Sequence, residues 1–265
     1  MAVLVLTVLQ LIFGLIFGMG ANLSAIGWIL LANLLIVLVL SCPVVHSHTF
    51  GLKLAGVIFL LFFGIYGFNN NIETIFFQLS IPQNVVFSMI LESLFVALIF
   101  SLAFVFLMGK MRKPGTKAET VVRSRISIIG YVWRFIVCDI TYVILYLIAG
   151  VIIYPYIKGF YAELAQIPDP GQLLLMQLFR GLVYIIAVLP IIRMMNIKRI
   201  EIMIMVGLQF AVLASIAPLL LPNPYMSTYI RTIHAFEIGI SNFIFGLMVG
   251  ALFSMRPLEK ISHND

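Results

Sequence analysis

Eight stretches of roughly twenty mostly apolar residues, broken only by short polar segments, leave this chain few ways to fold. A hydrocarbon layer about 30 Å thick is crossed by about 20 residues of α-helix. The stretches run near Ala2 to Met19, Ala25 to Val45, Gly51 to Phe68, Asn84 to Gly109, Arg134 to Tyr154, Gln172 to Ile192, Arg199 to Leu221 and Tyr229 to Ser254. Inside a bilayer no water satisfies the backbone, so each crossing must satisfy its own as helix. Composition closes the soluble alternative: 63% of the 265 residues are hydrophobic and 10% charged, where soluble domains carry roughly a quarter charged residues. The expectation is an all-α, polytopic membrane helix bundle of about eight transmembrane helices. It forms one integral domain, 1–265, in the cell membrane, with the lipid bilayer as its first partner.

The first stretch ends in small residues, as a cleaved signal peptide does, but lacks the basic segment such peptides begin with, so it is expected to be a retained helix. Cytoplasmic loops carry the Lys and Arg excess. With the amino terminus inside, Lys53, Lys110, Arg112, Lys113, Lys117, Arg123, Arg125, Arg134, Arg193, Lys198, Arg199, Arg256 and Lys260 all fall on the cytoplasmic side. These are thirteen of the 16 Lys and Arg; Lys158 and Arg231 lie outside and Arg180 within a span. Both termini are therefore expected in the cytoplasm. The net charge of +6 then reflects topology and attraction to anionic lipids at the cytoplasmic face. The basic residues are not interleaved with aromatics, so no nucleic acid is expected as a partner. Cys42 and Cys138 sit near cytoplasmic helix ends and are expected to be packing thiols.

An offset of about 145 residues relates the two halves. Pro43 matches Pro190, Lys53 matches Lys198, Glu92 matches Glu237, and Met111, Arg112 and Pro114 face Met255, Arg256 and Pro257, with offsets drifting from 147 to 143. Such matches also arise by chance in apolar sequence. If the correspondence is a duplication, units 1–109 and 134–256 are parallel four-helix repeats joined by a basic cytoplasmic linker, 110–133. Their axis then runs along the membrane normal, and many transporters place their site between such repeats.

An ionisable side chain at mid-membrane costs about 2.5 to 3.5 kcal/mol, which makes it a functional-site candidate. Glu92, Arg180 and Glu237 each lie eight residues inside a span, about 12 Å below the outer surface at 1.5 Å per residue. Unpaired, the three together would cost roughly 8 to 10 kcal/mol, so they are expected to face each other or a watery cavity. A packing ion pair with no ligand is the plain alternative. On span eight Arg231, His234, Glu237 and Ser241 are spaced three, three and four residues apart and form one polar stripe. Gly239, Gly246 and Gly250 lie on another face, where Gly246 and Gly250 form a GxxxG.

The segment Asn69 to Pro82 reads as an external loop. Glu73 caps a first turn there, or the apolar run from Thr74 to Ile81 forms a short helix lidding the cavity. Asp139 is expected to snorkel to the inner surface. His234 with Glu237 has a spacing that can chelate metal, but Arg231 beside it would repel a cation, so no metal is assigned and no motif calls for a cofactor.

The chain lacks a P-loop, GxGxxG, GxSxG and HExxH. Three functions remain. The first is a secondary transporter or exporter of a small anionic or zwitterionic solute, binding or exchanging protons through Glu92, Arg180, Glu237, His234, Arg231 and Glu73. The second is an intramembrane enzyme acting on a lipid-linked substrate at the outer leaflet. The third is a non-catalytic assembly subunit or homo-oligomer, for which the GxxxG pairs Gly14 with Gly18 and Gly246 with Gly250 are the support.

Overall fold

The computed structural model describes residues 1–18, 23–76, 82–112, 126–164, 169–223 and 226–254. Eight helical rods account for nearly all of them: α1 (Ala2–Ile16), α2 (Ile26–His46), α3 (Gly51–Phe76), α4 (Gln83–Leu107), α5 (Ile128–Leu164), α6 (Pro170–Met194), α7 (Arg199–Leu220) and α8 (Thr228–Phe253). Seven are long and apolar enough to cross a membrane. The 15 residues of α1 reach only about 22 Å, shorter than its apolar stretch predicts; its expected end at Met19 lies outside the described residues. So do 77–81, linker residues 113–125 and the tail bearing Arg256 and Lys260.

The helix ends follow from local chemistry. Asp169 accepts from the Gly171 amide at 2.9 Å ahead of Pro170, Ser227 accepts from the Ile230 amide, and the Glu201 carboxylate accepts from the Lys198 amide at 2.8 Å; each satisfies an orphan amide of a first turn. Two rods change pitch midway. Phe63–Asn69 in α3 and Val212–Ile216 in α7 are π-helical, and these two π-turns lie against each other at the centre of the bundle. A π-turn leaves backbone carbonyls poorly matched. The asparagines that read as a loop supply the missing donors: Asn70 Nδ2 donates to Tyr66 O and to Leu213 O across the contact, and Asn71 Nδ2 donates to Gly67 O. The helix therefore continues through Asn69 to Phe76, where a loop was expected.

Packing partners recur between the two halves. α1 packs on α4 and α5 on α8; α3 packs on α4 and α7 on α8; α2 packs on α7 and α6 on α3. The segments leaving α2 and α6 meet in an antiparallel bridge, Ser47 with Met195, with the His48 amide donating to Met194 O at 3.2 Å. Lys110 Nζ ties into this end, donating to Val45 O and Ser47 O over the Phe50 ring. Lys53, Arg112, Arg134, Arg193, Lys198 and Arg199 stand at the same end, hereafter the basic end.

The tightest contact is α7 on α8. A Cβ at Gly246 would stand 2.6 Å from Gly207 Cα, and one at Gly250 2.7 Å from Met203 Cα. The GxxxG of span eight is thus spent inside the chain and offers nothing to a second copy. Gly246→Leu is expected to destabilise the protein by about 3 kcal/mol, by overpacking against backbone that cannot yield. Gly56→Ala, on an exposed face with open space at its Cβ, should leave stability unchanged. Thermal unfolding followed by size-exclusion chromatography in detergent checks both.

Candidate functional site

Charged side chains predicted from three helices come together around a cavity of about 990 Å³ between the halves. From α4 it receives Glu92 and Ser93, from α6 Arg180, and from α8 His234, Glu237 and Ser241; α1 contributes Gln10 and α3 contributes Tyr66, Asn71 and Glu73. Five of the six predicted residues line it. Arg231 does not: it is buried, and its Nη2 donates to Thr228 Oγ1 at 3.1 Å within its own first turn. One helical stripe therefore divides, with His234, Glu237 and Ser241 on the cavity and Arg231 off it.

Arg180 is 2% exposed. Its Nη1 donates to Glu73 Oε1 in an ion pair and reaches Gln177 Oε1 at 3.3 Å. A guanidinium this deep in an apolar bundle requires an anion. The anion comes from Glu73, because α3 runs on past its π-turn and carries the carboxylate to α6. The carboxylate itself keeps one side on the cavity, at 29% side-chain exposure. Tyr142 and Tyr146 of α5 and Tyr184 of α6 surround the pair within electrostatic reach. Below them, toward the basic end, Tyr142, Tyr184, Phe210 and Phe245 form an aromatic floor with ring centroids 4.8 to 5.9 Å apart, locked by Asn242 Nδ2 donating to Tyr184 Oη at 3.1 Å.

The two other carboxylates behave differently. Glu237 Oε2 meets His234 Nδ1 at 2.9 Å, a pair that can hold or pass a proton. Glu92 lies beside Tyr66 and, among the described residues, makes no ion pair or hydrogen bond. Asp139, expected to snorkel, is 8% exposed and packs its carboxylate against Gly181, with Oδ1 lacking a partner among the described residues. Arg134 turns away from it to Gly130 O. Cys42 and Cys138 are free thiols. Among the described residues no group of three or more His, Cys, Asp or Glu gathers to hold a metal.

Tyr66, Tyr146 and Asn71 escaped sequence reasoning. Tyr146 had a signal, standing one turn from Tyr142 on the same face of α5; the polar role of Asn71 depends on the π-turn and had none. Compared with known proteins, the chain matches no family, no curated protein and no solved structure.

Glu73→Gln is expected to destabilise the protein by about 3 kcal/mol, because it strands the buried guanidinium. Arg180→Met combined with Glu73→Gln should recover most of that loss. Thermal unfolding of the two single variants and the double variant measures the coupling; three unshifted midpoints would mean that water already screens the pair.

Proposed function

We propose that this multi-pass membrane protein is a secondary transporter or exporter of a small anionic or zwitterionic solute, bound between its halves. The observation that carries this reading is the Arg180–Glu73 ion pair on the wall of a cavity of about 990 Å³, in the size range of ligand sites. Opposite charges set side by side in an apolar cavity suit a zwitterion best. Such a solute gives each charge a new partner as it separates them, whereas a bare anion would strand Glu73. Glu92 and the His234–Glu237 pair stand on the same cavity as proton-exchanging groups.

The halves are read as parallel four-helix repeats. In support, the helix contacts of the first four recur among the last four, the π-turns of α3 and α7 meet each other, and the Ser47–Met195 bridge joins matching linkers antiparallel, as an axis normal to the membrane requires. Lys and Arg gathered at one end support a cytoplasmic basic end with both termini inside, facing anionic lipids.

The His234–Glu237 contact also favours a second reading, an intramembrane enzyme with His234 as a general base oriented by Glu237.

Counterflow of radiolabelled phosphocholine and amino acids in sealed vesicles separates the two. Transport predicts flux above protein-free vesicles that falls at least tenfold in Arg180→Gln. It also predicts that Glu92→Gln with Glu237→Gln removes the response to a proton gradient. Absent flux with release of product from a lipid-linked ester would favour the enzyme, and unchanged gradient-driven flux in the double variant would remove the coupling role of both carboxylates.

A further inference from the structure

The cavity is larger than its charges need, and the excess is apolar. Beyond Tyr146 the wall continues along α5 through Leu147, Gly150, Val151 and Tyr154. Leu147, Val151 and Tyr154 are spaced as one helical stripe and line the cavity while 53%, 77% and 54% exposed. From Ile144 to Gly159 the only buried residue of α5 is Ile157, so past Leu145 and Tyr146 this length of helix packs loosely on its neighbours and the cavity is open along it. Leu147 and Val151 lie 13 and 17 residues from Arg134, where the apolar stretch begins, about 20 and 26 Å along the helix. Across a hydrocarbon core of about 30 Å, that puts the opening at the leaflet opposite the basic end. A Cβ at Gly150 would meet nothing within 4 Å, so the passage has room at its middle.

A small hydrophilic solute does nothing to fill this part of the cavity; a hydrocarbon chain does. We infer that the substrate is an amphiphile: a long-chain molecule whose small zwitterionic head lies between Arg180 and Glu73 and whose alkyl chain passes out sideways across the Leu147–Val151–Tyr154 stripe into the leaflet. The head enters sideways from the lipid, and the chain need never leave an apolar surface. This inference rests on the binding role proposed above for the Arg180–Glu73 pair and specifies the substrate of that same site.

The test is equilibrium binding of n-alkylphosphocholines from methyl to decyl to the full-length protein in nanodiscs, with empty nanodiscs as the blank for partition. Each added methylene should tighten binding about fourfold. Arg180→Gln should weaken every member alike. Gly150→Trp should flatten the dependence on chain length while leaving the methyl compound bound as in the wild type; Val151→Trp serves the same purpose should Gly150→Trp fail to fold. Affinity that depends on Arg180 but stays constant from the methyl to the decyl compound would overturn the amphiphile and leave the small-solute site standing. Binding of no member above the blank, or binding indifferent to Arg180→Gln, would overturn the site itself and this inference with it.

Discussion

A guanidinium at 2% exposure on a membrane-length helix has to be neutralised from within the protein, and much of the bundle's centre is arranged around that need. Arg180 on α6 takes its anion from Glu73 at the far end of α3, a helix of the other half. To deliver Glu73, α3 must stay helical through three consecutive asparagines, and it does so by a π-turn whose loose carbonyls accept from Asn70 and Asn71. Asn70 then reaches the π-turn of α7. One electrostatic requirement thus binds α6, α3 and α7 together at the core of the molecule.

The cavity follows from the same arrangement. Glu73 must approach α6 from one side, while α5 touches α6 at mid-helix, through Asp139 against Gly181 and Tyr142 beside Tyr184. Farther along, α5 diverges, and the space it leaves is bounded by the ion pair, by His234 with Glu237, and by Glu92. Aromatic rings close the floor toward the basic end. The result is a site sealed below and open at the side, in which charges interact strongly because apolar helices wall them in. A separable ion pair in such a place favours a ligand that brings both signs of charge.

Helix number and helix ends were legible because apolar length is a direct consequence of bilayer thickness, and α2, α4, α6, α7 and α8 begin and end within a few residues of their apolar stretches. Depth counting also placed Glu92, Arg180 and Glu237 at one level, and all three line the same cavity. Partner choice was not legible. Asn69, Asn70 and Asn71 look like a loop by propensity, and a π-turn has no hydropathy signature, so Glu73 reads as a cap or as a site residue of a lidded cavity, with nothing in its spacing to name it the counter-ion of Arg180. Arg231 shared a stripe with His234 and Glu237 by spacing alone, yet at the start of α8 its side chain finds Thr228 one turn back. Asp139 resembled a snorkelling acid because the glycine that admits it against α6 lies 42 positions farther along the chain.

The central claim is that water reaches the charges between the halves. It is tested most directly by thiol reactivity in a variant lacking Cys42 and Cys138. Ser93→Cys on α4 and Ser241→Cys on α8 both line the cavity, and Ser101→Cys on α4 is buried away from it at 1% exposure. A charged methanethiosulfonate reagent added to folded protein in bilayers should modify the first two and spare the third. Protection of the thiols introduced in place of Ser93 and Ser241 equal to that of the thiol in place of Ser101 would mean a dry, closed contact and would contradict the account.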